Sequence, residues 1–257
     1  MALHKHPIPI LEYDTNPNAL LAHNRHPEIL LPKRAVFAFL GDTIDHYAQS
    51  HNAEVLDIFH TITCEIPIYK IQYKEQELCL CRAPLGGPAA VQLMDRLIGH
   101  GVKSIITAGS CGALTELPEN AFLLPSKALR DEGTSYHYLP PSRYVEISEK
   151  ARRIIHSVLE SHGLTAAECL TWTTDGFFRE TEDMVAYRRE EGCMTVEMEC
   201  ASLAACAQFR NVLFGQFLYT ADSLADAQNY DQRGWGEDSL EPALMLCLDI
   251  ALQLPQE

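Results

Sequence analysis

Short apolar runs alternate with helical patterns along most of this chain, and that alternation limits the fold more than any other feature. Ala35–Leu40 is an unbroken apolar run, bounded by Lys33-Arg34 and Gly41. Val102–Ala108 and Val212–Tyr219 are also mainly apolar and too short for independent helices. All three therefore read as strands buried on both faces. Such strands need covering elements on both sides of their sheet. Helical patterns supply them: Thr43 through Ala53, Pro88 to about Gly99, Glu146–Ser161 and Glu241–Leu254. Ile66–Tyr73 and Leu78–Ala83 form a hairpin around Lys74-Glu75-Gln76-Glu77. Residues 114–145 read as loop and short strand, dense in polar and aromatic side chains from Arg130 to Tyr138. The pattern predicts an α/β domain around a mixed, mostly parallel sheet.

Residues 1–34 stand apart. Pro7, Pro9, Pro17, Pro27 and Pro32 forbid long helices and predict an extended N-terminal arm, lying over a neighbour or over the domain formed by residues 35–257. Its histidines, His4, His6, His23 and His26, read as solvated, with one able to reach a site across a subunit boundary. A net charge of −15 disfavours a sequence-blind nucleic-acid binder, which needs a basic face. A small anion held by a local arginine pocket stays open. No apolar run approaches the length that spans a bilayer, and Met1–Ile10 lacks an apolar signal core. The nine cysteines include no C-x-x-C pair, and Cys79 and Cys81 alternate with Leu78 and Leu80 in a strand pattern. They read as reduced, mostly buried thiols of a cytoplasmic protein, with no metal site.

The chemistry gathers at strand ends. Met194–Met198 reads as a strand ending in Glu197-Met198-Glu199, followed by a buried helix from Ala201. Carboxylates at such a junction are costly unless used. They either cap the helix or accept hydrogen bonds from the neighbouring hydroxyls of a sugar, with Met198 as the apolar surface beneath the ring. Val102–Ala108 leads into Gly109-Ser110-Cys111-Gly112-Ala113, read as a turn where a ligand could meet backbone and the Ser110 hydroxyl. Gly41 offers a weaker version after the first strand. Cys169–Thr173 ends in Thr174-Asp175-Gly176-Phe177-Phe178-Arg179-Glu180, whose phenylalanines should line either core or a ligand slot. Asp222 follows the strand Val212–Tyr219. Ligands of open α/β sheets sit beyond the carboxyl ends of strands, so these residues are candidates for one site.

Gly109-Ser110-Cys111-Gly112, Thr174-Asp175 with Phe177-Phe178, Val196-Glu197-Met198-Glu199 and Asp222 occur in an order and spacing that resemble the purine/uridine nucleoside phosphorylase superfamily, which includes nucleosidases. The resemblance runs from about residue 35 to 250. It implies a single-domain nucleoside phosphorylase-like fold, with a distorted mixed central sheet flanked by helices and assembly as a homo-oligomer: dimer, trimer or hexamer. It also implies cleavage of a ribosyl N-glycosidic bond in a small-molecule nucleoside, without a cofactor, phosphate being the candidate co-substrate. Glu199 would hold the ribose hydroxyls beside Glu197, and Met198 would pack under the sugar. Cys111, Gly112 and Phe177 would lie against the base. Ser110 and the Gly41 backbone would face phosphate. Asp222 matches the purine branch, where an aspartic acid protonates the leaving base. Arg233 lies near the place of an arginine that assists it. Thr181 and Asp183 stand where the uridine branch carries a glutamine and an arginine.

The departures lie on the phosphate side. The family's three phosphate arginines fall near Asp45 and His46, near Cys64 and at Thr107. Arg82, Arg130 and Arg179 are candidates for a rebuilt anion site, and Asp45 for activating water as in the nucleosidase branch. Three readings follow: a purine-type phosphorylase releasing ribose 1-phosphate, favoured by the Gly-Ser-Cys-Gly segment; a nucleoside hydrolase; and a non-catalytic nucleoside-binding or storage protein.

Overall fold

The computed structural model describes residues 3–21, 29–226 and 228–256. His23, His26 and Pro27 of the expected arm lie outside them. Ten strands and six α-helices follow one another as β1 (Arg34–Ala38), α1 (Thr43–Ser50), β2 (Glu54–His60), β3 (Glu65–Tyr73), β4 (Gln76–Arg82), α2 (Gly87–Gly99), β5 (Ser104–Ala113), β6 (Phe122–Asp131), β7 (Tyr144–Glu146), α3 (Glu149–Ser161), β8 (Ala167–Thr174), α4 (Glu182–Glu190), β9 (Cys193–Glu197), α5 (Cys200–Arg210), β10 (Leu213–Ser223) and α6 (Leu240–Gln253).

All ten strands belong to one sheet, in the order β10-β6-β8-β9-β5-β1-β4-β3-β2, with β7 beside β6. β10 also pairs with β5. The strands β5, β9, β8, β6 and β10 therefore close on themselves into a ring, and β1, β4, β3 and β2 extend from it as an open wing. This closure is the distortion of the central sheet. The pairings divide evenly: five are parallel and five antiparallel. The expected excess of parallel pairs is absent because β2–β3–β4 is a meander and β9 enters against β5.

Apolar clusters cover both faces. One packs α2 and α5 against Phe37, Ile105 and Phe214. The other packs α1, α3 and α6 against Val36, Ile106 and Phe217. α5 is buried from Cys200 to Ala207, and its small side chains permit that close packing. It ends at Asn211 in the left-handed region (φ +55°), a stop that asparagine tolerates.

Two expectations change. The Gly109–Ala113 segment is not a turn: β5 runs through it, paired with Leu218–Thr220 of β10 and with Thr195–Val196 of β9. Ladder hydrogen bonds from two neighbours override the low strand propensity of glycine. Residues 114–145 hold a ten-residue strand, β6, rather than mainly loop. In the N-terminal segment, residues 9–11 form a short 3₁₀ turn; Tyr13 donates to the carbonyl of Tyr138, and Arg210 donates to that of Pro17.

Candidate active site

The ends of β5, β9 and β10, together with Leu85 after β4, enclose a cleft of about 130 Å³. Ser110, Cys111, Gly112, Phe177, Glu197, Met198, Glu199 and Asp222 all line it, as eight of the residues singled out from the sequence. Gly41, Asp45, Arg82, Arg179 and Arg233 do not belong to its lining.

Glu197 and Glu199 divide the two roles open to them. Glu197 is saturated by the protein. Its Oε2 accepts from the amides of Glu199 (2.7 Å) and Cys200 (2.6 Å), and its Oε1 accepts from the hydroxyls of Thr173 (2.5 Å) and Thr171 (3.4 Å). It caps α5, where free N–H groups and the helix dipole favour an anion. Burial nevertheless raises its pKa, with those four donors opposing.

Glu199, only 6% exposed, accepts at Oε1 from the amide of Gly86 (2.6 Å). A carboxylate has about four acceptor sites, so capacity remains for a ligand. Burial, followed by repulsion from Glu197, pushes its pKa up to about 8. The amides of Gly86 and Met198 oppose that shift.

Asp222 sits at the other end. The β5–β10 register shifts between Thr220 and Ser223, and such an irregularity re-aims the side chains within it. Asp222 is 6% exposed and takes a hydrogen bond from the Tyr230 hydroxyl (3.1 Å). Burial raises its pKa, while Tyr230, its own amide and the charge of Arg233 pull it down. Gly112 makes the approach possible. A Cβ there would stand 2.8 Å from Leu224 Cδ1, 2.9 Å from Val196 Cγ1 and 3.3 Å from Asp222 Oδ1. Arg233 itself is anchored away from the cleft, donating to the carbonyl of Leu117 (2.7 Å) and facing Asp231 (3.5 Å).

The cleft also holds residues that the sequence did not announce. Glu180 lines it, and burial followed by the charge of Asp222 pushes its carboxyl up to about 7. Nothing local marks it, because Glu180 lies among Arg179, Glu182 and Asp183 like any solvated charge. Phe39, Leu85, Gln216 and Trp235 complete the walls. Phe177 (42% exposed) borders the cleft, but Phe178 (93% exposed) lies in neither core nor cleft. Phe178 lines an outer chamber of about 570 Å³ that shares Phe177, Glu180, Asp222 and Trp235 with the cleft. Cys111 is buried and its thiol pushed far up by that burial, which removes it as a nucleophile.

The phosphate-side candidates form a separate network. Arg82 donates to Asp42 (2.6 Å) and lies 3.4 Å from Asp45, which also accepts from the Tyr69 hydroxyl (2.9 Å). Gly41 is exposed, with φ +54°. Arg179 is exposed, and Arg130 is buried in hydrogen bonds to Ser135, Leu139, Pro140 and Ser142. Among the described residues no Lys, Arg or His lines the cleft, whereas four carboxyl groups do: Glu180, Glu197, Glu199 and Asp222.

Comparison with known proteins agrees with this architecture. A guanosine phosphorylase of Halorubrum lacusprofundi is 24% identical over 179 residues, 69% of this chain and 73% of that protein. The AMP nucleosidase of Bacteroides thetaiotaomicron superposes with a TM-score of 0.72 at 22% identity, covering 91% of this chain and 96% of that one. The purine nucleoside phosphorylase of Toxoplasma gondii gives 0.73 at 18% identity, covering 89% and 94%. Residues 33–244 match the profile of the phosphorylase superfamily, and the chain belongs to that family.

Proposed function

We propose that the protein cleaves the N-glycosidic bond of a purine-type nucleoside, with water as the acceptor. One observation carries this reading: Asp222, a buried carboxyl whose surroundings favour its protonated form, shares a cleft with Glu199, a carboxyl with free acceptor capacity. The transition state builds negative charge on the departing base and positive charge on the sugar. Asp222 delivers a proton to the base, and Glu199 holds the ribose diol. Positive charge growing on the sugar favours the ionised form of Glu199 over the protonated form that burial maintains, and the carboxylate then opposes the oxocarbenium charge. Tyr230 and the Gly112 approach hold Asp222 in place. The outer chamber behind Phe177 and Trp235 leaves room for a two-ring base.

The choice of acceptor rests on charge. Among the described residues no cation lines the cleft to meet a phosphate dianion, and the guanidinium of Arg82 is held between Asp42 and Asp45. Phosphorolysis, the reading the Gly-Ser-Cys-Gly segment favours, keeps one supporting observation. Asp42 is largely exposed, so an incoming phosphate could displace it from Arg82 at little cost. Product analysis of a purine nucleoside panel, with and without phosphate, separates the outcomes. Free ribose is expected in both conditions. Ribose 1-phosphate formed only with phosphate overturns the hydrolytic reading, and no product from any nucleoside overturns cleavage itself.

A further inference from the structure

Two polar atoms in the floor beside the cleft have no partner. Gln216, 1% exposed, lines the cleft, and its Oε1 accepts no hydrogen bond among the described residues. Thr107, fully buried, has a hydroxyl with no partner among the described residues either. The two residues are register partners on the parallel strands β10 and β5, so their side chains leave the sheet on the same face. Gly109, two residues beyond Thr107 on β5, opens that face: a Cβ there would press on the Phe39 side chain at 3.3 Å.

Buried polar groups in folded proteins are almost always hydrogen-bonded to protein or to ordered water. Leaving one unmet is costly, and two neighbouring unmet groups define a polar site rather than a packing accident. Both groups are neutral. Between them a carboxamide and a hydroxyl offer donors and acceptors in balance, which suits water and does nothing to offset the charge of a phosphate dianion. Gln216 lies six positions before Asp222 on β10, on the order of 20 Å along an extended strand. Gln216 therefore lines the cleft well away from the proposed acid.

We infer that Gln216 and Thr107 hold the ordered water that serves as acceptor, an inference that rests on the hydrolytic reading above. In the step, the water oxygen bonds to C1′ while the C1′–N bond breaks and its electron pair leaves with the base. The base takes the Asp222 proton, the water's surplus proton passes to solvent, and Asp222 is reprotonated from solvent. Gln216 and Thr107 exchange no proton; they fix where the water stands.

The test combines a ligand-free crystal structure with two near-isosteric variants, Gln216→Leu and Thr107→Val, assayed on a purine nucleoside that the wild type hydrolyses. The expected result is a water bound to Gln216 and Thr107, and a kcat lowered about 10- to 100-fold in Gln216→Leu with KM for the nucleoside unchanged. The double variant should lose little more than Gln216→Leu alone, because both residues hold one water. Melting temperature gives a second readout. If the pocket is dry, Gln216→Leu removes an unmet polar group and raises stability while kcat stays within twofold. That outcome overturns the inference alone and leaves hydrolysis standing. A wild type that forms only ribose 1-phosphate overturns both. A wild type inert on every nucleoside overturns the proposed function, and a water bound to the pair would then be structural.

Discussion

At the base and sugar end of the cleft, carboxyl groups are buried and meet amide and hydroxyl donors: Gly86 for Glu199, Tyr230 for Asp222. In the separate network near Gly41, the carboxyl groups of Asp42 and Asp45 meet a guanidinium, and Asp42 reaches solvent. The two regions thus solve the cost of charge differently. Burial without a cation raises a carboxyl pKa and stores a proton for later use. Pairing with Asp42 and Asp45 occupies the cation that a phosphate would need. The two regions share no ionic partner, so either can change without unpairing a charge in the other.

The most severe break in the base end should come from Asp222→Asn. Purine nucleosides should be cleaved about 10²–10⁴-fold more slowly. A nucleoside whose base already carries positive charge should be spared, since its leaving group needs no proton. Parallel kcat/KM measurements on the two substrates check this, and equal loss on both would move the proton donor elsewhere. Glu199→Gln should cost about 1.5–3 kcal/mol of transition-state stabilisation, read as kcat/KM on a ribonucleoside. Glu197→Gln should act mainly on the fold, lowering the melting temperature, because all the contacts it loses are internal. If Glu197 proved the more sensitive in kcat/KM with its fold intact, the division of roles between the pair would be reversed.

Stability against pH sharpens the same contrast. Glu199 titrates near 8 when folded, well above the ordinary carboxyl range it has in the unfolded chain. The unfolded chain therefore releases this proton first. The stability tied to the protonated form is fully present below about pH 4 and is lost progressively as pH rises to about 8. Glu199→Gln removes that dependence. Relative to the wild type, the variant should gain stability steadily between pH 5 and 8, as measured by melting temperature, and a constant difference would show that Glu199 is not held protonated. The smallest effect belongs to the network around Arg82. Arg82→Ala should change hydrolysis by less than about 1 kcal/mol in kcat/KM, as befits a partly exposed pair. A large loss confined to reactions run with phosphate would make Arg82 an anion ligand.

The sequence made most of the cleft legible because its residues lie in contiguous motifs with distinctive types: a carboxylate pair around a methionine, a Gly-Ser-Cys-Gly segment, an aspartate after a buried strand. Glu180 and Gln216 were invisible for opposite reasons. Glu180 sits in an acidic stretch that looks solvated, and only the tertiary position of Phe177–Glu180 buries it. Gln216 sits inside an apolar strand and looks like a tolerated exception, until its neighbour Thr107 is known. Arg82, Arg130 and Arg179 carry the right charge for an anion site, but ion pairing, internal hydrogen bonding and an outward position account for them in turn. Local propensity also misread Gly109–Ala113, where two neighbouring strands impose an extended backbone on residues that favour turns.

The ring formed by β5, β9, β8, β6 and β10 has a mechanical consequence. A strand in an open sheet can slip along a single neighbour, and a slip of one residue turns every side chain to the wrong face. In a closed ring each strand is clasped on both sides, so a slip at β9 or β10 would have to be absorbed by all five strands together. Glu197 on β9 and Asp222 on β10 are thereby locked to each other through the whole circuit, before any ligand arrives. The loose end of the molecule is the opposite one. Among the described residues β2 pairs on one side only, with β3, and offers the sheet's long free edge. Fraying that starts at β2 can run inward through the wing as far as β1 without disturbing the registration of the two carboxyl groups.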